Sequence, residues 1–407
     1  MAEPKRGPLD GVRVVDMSTV LLGPYAGQIM GDLGADVIRV ESPKADMTRW
    51  AGPSAHRGFS PIFMNCNRNK RSLCLDLKKD GAFEALVEII RTADVFLHNV
   101  RLEAVERLGL GYDAVRAIKP DIVYVHCVGF GSEGAYAGRP AYDDIVQAAA
   151  GAVSLNRLID PDEEPRYIAT LAADKTTGLH AAYATLAALF HRERTGEGQF
   201  VEVPMLESFT SFLMIEHMNG HTWEPPQGDY GYHRIININR KPYRTKDGFI
   251  CIMPYSTDQW RAALRLGGIP IADDDPRLQT MGGLARHFRE LYGLLADVTG
   301  TRTSDEWMTL LSDLDIPVMR VNQVEDLKTE EHLSSVDFFE QREHPSEGIW
   351  RSMRQPVKFS ATPASVRRDP PGLGEHNREL LLEAGMSPDR IAQLEASGAL
   401  HHLAPTD

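Results

Sequence analysis

The stretch Leu171-Ala172-Ala173-Asp174 sets a carboxylate directly before Lys175–Arg194, an Ala- and Leu-rich run that predicts a helix stopping at Thr195-Gly196-Glu197-Gly198. Aspartate in that place reads as an ordinary helix N-cap. It also reads as a chemical group. The free N–H groups and positive potential of a helix start keep a carboxylate ionised and stabilise charge on its adducts. The two readings are compatible.

Other chemistries lack their markers. Leu22-Gly23-Pro24-Tyr25-Ala26-Gly27 does not have the G-x-G-x-x-G spacing that lets backbone approach a pyrophosphate. Glu41 mimics a ribose-binding acid, but without those glycines it reads as a strand-end charge. No P-loop and no G-x-S-x-G elbow occurs. His217 and His221 stand four apart, yet no H-E-x-x-H glutamate lies between them and Gly220 weakens the helix, so no metal site is expected. Cys66, Cys74, Cys127 and Cys251 form no C-x-x-C pair and read as reduced small hydrophobes of a cytoplasmic protein.

Positioning Asp174 falls to an alternation of strands and helices. Val12–Asp16, Asp36–Val40, Ser72–Leu77, Asp94–Leu97, Asp121–Val128 and Gln199–Val203 are the strand candidates. Helical patterns follow Gly23-Pro24 to about Leu33 and run from about Gly81 to Arg91. This alternation predicts an α/β fold with a doubly wound parallel sheet, which gathers ligands beyond the carboxyl ends of its strands. Around Gly220–Arg240 the texture turns to Gly, Pro, Tyr, His and Asn, as in a linker. A smaller lobe then reads from Gly248–Ile252 through helices near Asp258–Leu266 and Ser304–Ser312 to Asp315–Val321, and a last helix is expected at Gly374–Glu383.

At 407 residues the chain exceeds one hydrophobic core, so two bodies are expected. The formal net charge of −13 argues against nucleic acid or an anionic membrane as partner, while leaving room for an anionic small ligand held by local cations. Met1–Pro8 is charged and lacks an apolar core, so no signal peptide is expected there. The apolar stretch Ala181–Phe190 is about half the ~20 residues a membrane span needs.

Several segments, in order, resemble the class III coenzyme A transferases, a family that includes formyl-CoA and carnitine CoA-transferases and the 2-methylacyl-CoA racemases. They are Leu9–Asp16 with Gly23-Pro24 and Leu33–Glu41; Asn67–Leu73 with Leu75–Lys78; Ala93–Asn99 with Glu106–Tyr112; Gly129–Gly131 with Gly138–Asp143 and Gln147-Ala148; Ala173-Asp174 with Gly178 and His191–Gln199; and Leu373–Asn377. The resemblance implies a Rossmann-like large domain built from both chain ends (1–219 and 326–407), with a small α/β domain and linker (220–325) between them. It also implies a homodimer of interlocked rings. No cofactor is held permanently; coenzyme A arrives as acyl-CoA substrate, with a free carboxylic acid as the other partner.

In such transferases a protein carboxylate attacks the thioester, dividing one hard exchange into covalent steps through an acyl-aspartyl anhydride and an aspartyl-CoA thioester, both shielded from water. The resemblance gives that role to Asp174, with Tyr142 lining the site. It places coenzyme A near Leu21, Leu75, Lys78, Asn99, Val100, Arg101, Arg107, Pro140, Ala141 and Asp143. Lys78, Arg101 and Arg107 are the cations for its phosphates. Formyl-CoA transferase has a glutamine where Leu21 stands, and a glycine-run lid where this chain has Gly228–Arg234. The bulk and charge of Tyr230, Tyr232, His233 and Arg234 point to a dicarboxylate or a larger acid rather than formate or oxalate.

Two alternatives share the scaffold. A racemase would need an acid/base partner for Asp174, and those enzymes have histidine where Tyr142 stands; a phenol with a pKa near ~10 abstracts α-protons poorly. A silent coenzyme A-binding scaffold would have no use for the intact Asp174 segment.

Overall fold

Six short runs, all but the third rich in β-branched or aromatic residues, form one sheet: β1 (Arg13–Asp16), β2 (Asp36–Glu41), β3 (Lys70–Cys74), β4 (Val95–His98), β5 (Val123–Val128) and β6 (Phe200–Pro204). Their order is β3-β2-β1-β4-β5-β6, and every neighbouring pair is parallel. The order reverses between β1 and β4, so the loops leaving these two strands flank the crevice where doubly wound sheets bind ligands. This is a computed structural model, and it describes residues 7–403, so most of the charged Met1–Pro8 start lies outside the described residues.

The strands carry little alternation because both faces are covered. Val14, Val15, Val37, Ile38, Val95, Phe96, Leu97, Val123 and Val125 have no exposure. Helix α1 (Leu22–Asp32) follows β1, and α2 (Asp143–Ala149) follows β5. Helix α3 (Ala172–Thr195) then leads through left-handed Gly196 into β6.

The described chain divides into two units. The first takes in the sheet, up to Ala150, together with Tyr167–Phe212 and the segment from His332 on. Its core lies beneath β1–β5 and includes Leu380, Leu381, Ile391 and Leu394 from the late segment. Edge strand β3 is stitched to that segment. Cys74 N–H donates to Asn377 Oδ1 at 2.8 Å, Arg71 pairs with Glu379 and Glu383 at 2.8 Å each, and Leu75 forms a lone antiparallel bridge with Leu400. The second unit comprises Gly151–Arg166 and Leu213–Glu331, and so takes in the Gly220–Arg240 stretch. Its own core gathers Trp260, Tyr292 and Trp307 around the antiparallel strands Phe249–Ile252 and Val318–Arg320.

Three expectations need correction. The third strand lies at Lys70–Cys74 rather than Ser72–Leu77, because Asp76 closes a turn that accepts the N–H groups of Lys78 and Lys79. Helix α3 begins at Ala172, not Lys175, which makes Asp174 the third helical residue instead of the cap. Asn377–Glu383 is not the last helix; Pro388–Ala396 follows, capped by Ser387, whose side chain accepts from Arg390 N–H.

Candidate active site

Asp174 stands in the first turn of α3 and is only 9% exposed. Its backbone N–H donates to Asp143 Oδ1 at 2.9 Å, while its own carboxylate accepts no hydrogen bond from any described residue. Burial, aided by the like charge of Asp143, pushes the Asp174 carboxyl up to about 7. A helix start was expected to keep this group ionised; desolvation outweighs the helix potential, and at neutral pH the group is poised between its two forms.

Asp143 opens α2 and is itself 3% exposed. Its second oxygen takes a 2.6 Å hydrogen bond from Gln147, one turn further along. The same Gln147 amide reaches Thr170 O at 3.2 Å and accepts from Ile168 N–H at 2.9 Å. Gln147 therefore fixes both the Asp143 carboxylate and the strand of chain that enters α3. The i, i+4 spacing of Asp143 and Gln147 was the available signal for this clamp, and only the structure shows where it points.

Two glycines set the approach of these pieces. A side chain at Gly129, just past β5, would stand 2.3 Å from the Ala141 Cβ, so only glycine lets Pro140–Asp143 lie against the strand end. At Gly178, one turn beyond Asp174, a Cβ would meet Leu22 O at 2.8 Å and Tyr25 Cδ1 at 3.0 Å. Helix α3 thus lies directly against the first turn of α1. Leu21, which precedes that turn, is buried.

The β1–α1 loop is fixed from below and from the side. Thr19 N–H donates to Asn99 Oδ1 and Asn99 Nδ2 returns a bond to Thr19 O, both at 2.9 Å, so the loops at the strand-order reversal are tied together. Val20, at a left-handed φ of 69°, donates its N–H to Asp46 at 2.9 Å. Beneath lie buried charges that the sequence reading missed, since each reads alone as a surface residue. Lys70 meets Asp16 at 3.0 Å, Arg39 meets Asp46, and Arg49 meets Glu41 at 2.6 Å. Burial alone would raise the Glu41 carboxyl, but Arg49 and Arg39 outweigh it and hold it at about 2. Glu41 is therefore a structural anion at a strand end, as its sequence context implied.

The other predicted positions fall into three groups. Tyr142 is 64% exposed beside Asp143, and its hydroxyl is without a partner among the described residues. Lys78, Arg101 and Arg107 are exposed and make no ion pair with any described residue, which leaves their charge available. Leu75 is 1% exposed within the core and its N–H donates to Glu41 O at 2.9 Å, and Val100 O accepts from His126 Nε2 at 2.9 Å. His126 stacks on buried His98 with ring centres 4.4 Å apart, a pair that no motif announced.

Tyr230, Tyr232, His233 and Arg234 all belong to the second unit. Tyr230 stacks flat on His221 at 3.7 Å. The Arg234 guanidinium lies 4.5 Å from the Tyr255 ring centre and donates to Tyr292 Oη at 3.3 Å. Tyr232 and His233 are exposed. Among the described residues no group of three or more His, Cys, Asp or Glu is arranged to hold a metal.

The site thus sets a nearly buried carboxylate, with no hydrogen-bond donor among the described residues, in the turn of α3 that leads to its seat on the start of α1. The profile of CoA-transferase family III matches residues 9–377, and the chain belongs to that family. It is 30% identical to a succinate–glutarate CoA-transferase of Agrobacterium fabrum, over 93% of this chain and 96% of that one. It is also 30% identical to a formyl-CoA:oxalate CoA-transferase of Streptomyces avermitilis, over 96% of this chain and 99% of that one. A crystal structure of a CAIB/BAIF family protein from Brucella suis superposes with a TM-score of 0.78 at 29% identity, covering 93% of this chain and all of that chain.

Proposed function

We propose that the protein transfers coenzyme A from an acyl-CoA to a free carboxylic acid, with Asp174 as nucleophile. The observation that carries this reading is the Asp174 carboxylate, nearly buried yet accepting no hydrogen bond. A carboxylate serving only to cap a helix would accept a backbone N–H of its first turn.

The ionised carboxylate attacks the thioester carbonyl, forming an acyl-aspartyl anhydride and expelling coenzyme A as thiolate. The thiolate attacks the aspartyl carbonyl, giving an aspartyl-CoA thioester and releasing the first acid as carboxylate. The acceptor carboxylate then attacks this thioester, regenerating an anhydride and the thiolate. Attack of the thiolate on the acceptor's acyl carbon yields the new acyl-CoA and restores Asp174. Lys78, Arg101 and Arg107 contribute positive charge toward the phosphates of coenzyme A. Leu21, Asn99, Val100, Pro140 and Ala141 shape its path, and Tyr142 lines the reaction centre.

A dicarboxylate acceptor fits the bulky, polar Tyr230–Arg234 segment, and the Agrobacterium relative named for succinate and glutarate supports it. The protein works, in this reading, as an interlocked homodimer in the cytoplasm. The family resemblance supports the dimer, as do Leu179, Tyr183 and Phe190, exposed along one side of α3. Among the described residues no helix is long and apolar enough to cross a membrane.

Incubation with acyl-CoA and no acceptor tests the mechanism. Hydroxylamine should convert Asp174 to a hydroxamate, seen as a mass shift on the peptide containing Leu171–Lys175 and absent in Asp174→Ala. An active enzyme never trapped, even with fast quenching, would show direct transfer in a ternary complex. Solvent deuterium entering the α-carbon of acyl-CoA would show a racemase.

A further inference from the structure

Within the first unit, away from Asp174, a cavity of about 330 Å³ opens between the loop after β2, the turn at His344–Ser346 and the late segment around Pro370–His376 and His402–Leu403. Its volume lies in the ~300–1,000 Å³ range of small-molecule sites. Its walls mix apolar side chains, such as Phe59 and Leu373, with charged ones.

The charges do not cancel within the wall. Arg49 is committed to Glu41, and Asp369 to Arg342 at 3.0 Å and the Trp350 indole at 3.1 Å. Arg57 and Arg368 remain, and neither makes an ion pair with any described residue; Arg57 rests only near the Trp50 ring, 5.4 Å away. Glu375 opposes them, with one oxygen held by Gly372 N–H at 2.7 Å. His376 accepts the Ser72 N–H on Nδ1 at 3.2 Å, so its neutral tautomer carries the proton on Nε2, where no described residue accepts it.

We propose that this cavity binds a phosphate group. Two guanidinium forks from separate segments and an imidazole N–H offer more donors than the two oxygens of a planar carboxylate accept, and they suit a tetrahedral dianion. The apolar walls leave room for the rest of a phosphate ester. One source is coenzyme A itself. His401 N–H bonds to Cys74 O, which places the cavity wall next to the strand end that leads into Leu75–Lys78. The other source is a separate phosphate compound acting as effector.

Calorimetric titration with coenzyme A, 3′-dephospho-coenzyme A and inorganic phosphate decides the matter. The proteins compared are wild type, the Arg57→Ala/Arg368→Ala double variant and the corresponding double Lys variant. Both arginines are exposed and unpaired, so the fold is expected to survive. An affinity loss of tenfold or more for coenzyme A but not for its dephospho form assigns the cavity to the 3′-phosphate. A loss shared by both assigns it to the pyrophosphate. Unchanged coenzyme A binding with abolished phosphate binding assigns it to a separate ligand. The Lys variant should retain an intermediate affinity, as a point charge without the fork. A double Ala variant that binds all three as wild type does would overturn the proposal. The coenzyme A arms rest on the function proposed above and the phosphate arm does not. Failure of wild type to bind coenzyme A therefore counts against that function alone.

Discussion

The backbone N–H of Asp174 donates to the carboxylate of Asp143 at 2.9 Å, so two acids are held together at the start of one helix. The contact fixes the position of Asp174 and raises its carboxyl at the same time. Because the ionised form is the nucleophile, kcat/KM for acyl-CoA should climb with pH through about 7 and level off above it. Asp143→Asn keeps an oxygen for the Asp174 N–H and removes the opposing charge. Its profile should have a lower midpoint, although the new amide faces Gln147 donor to donor and costs about 1–2 kcal/mol of stability. A midpoint that stays in place would show that Asp143 does not tune the nucleophile.

The same burial predicts a trade between activity and stability. In the folded chain the Asp174 carboxyl sits at about 7, above its ordinary 3.8, so folding favours the protonated form. Its contribution is therefore fully present below about pH 4, is lost as pH rises to about 7, and stays lost beyond. Asp174→Asn should unfold at higher denaturant than wild type at pH 8, by about 2–4 kcal/mol, with the gap closing below pH 4. Equal stabilities at pH 8 would mean that the native carboxylate is well solvated.

Gly178→Ala tests the seat of α3 on α1. Alanine ordinarily favours a helix over glycine by about 1 kcal/mol. Here its Cβ would press to 2.8 Å from the Leu22 carbonyl. The expected outcome is a net destabilisation of about 1–3 kcal/mol in urea, with a fall in kcat as Asp174 shifts. A stabilised variant would show that the two helices can part without consequence.

Arg107→Ala should raise KM for acyl-CoA several-fold and leave kcat within about a factor of three, since a cation on a remote phosphate contributes equally to ground and transition states. A large fall in kcat at constant KM would place Arg107 at the reacting centre instead.

The sheet was legible because β-branched runs such as Ile122–Val128 have few other ways to be buried, and five of its six strands lie within two residues of their expected ends. The helices Met281–Thr299 and Pro388–Ala396 were not read. The first opens on Gly282-Gly283, which dilutes the helical pattern, and its cap Thr280 shows only in the bond from Gly283 N–H. The second carried a usable signal in Ser387-Pro388, a cap followed by proline at the first helical position. At the site, Asp174 was visible through its motif. Its protonation was not, because desolvation and the neighbouring Asp143 arise only once residues 31 positions apart are packed together. The buried pairing of Lys70 with Asp16 was hidden for the same reason, across 54 positions.

The stitching of β3 to the late segment also bears on how the chain is made. Cys74 waits for Asn377, 303 residues downstream, and Leu75 waits for Leu400. A ribosome releases β1–β5 and most of the apolar surface beneath them well before Leu380, Leu381, Ile391 and Leu394 emerge to cover it. During that interval the nascent sheet has an open edge and an uncovered face, the features that recruit chaperones and invite association between neighbouring nascent chains. Closing the first unit is thus a late step of synthesis, because the residues that cover its face and pair with its edge follow the whole second unit in the chain.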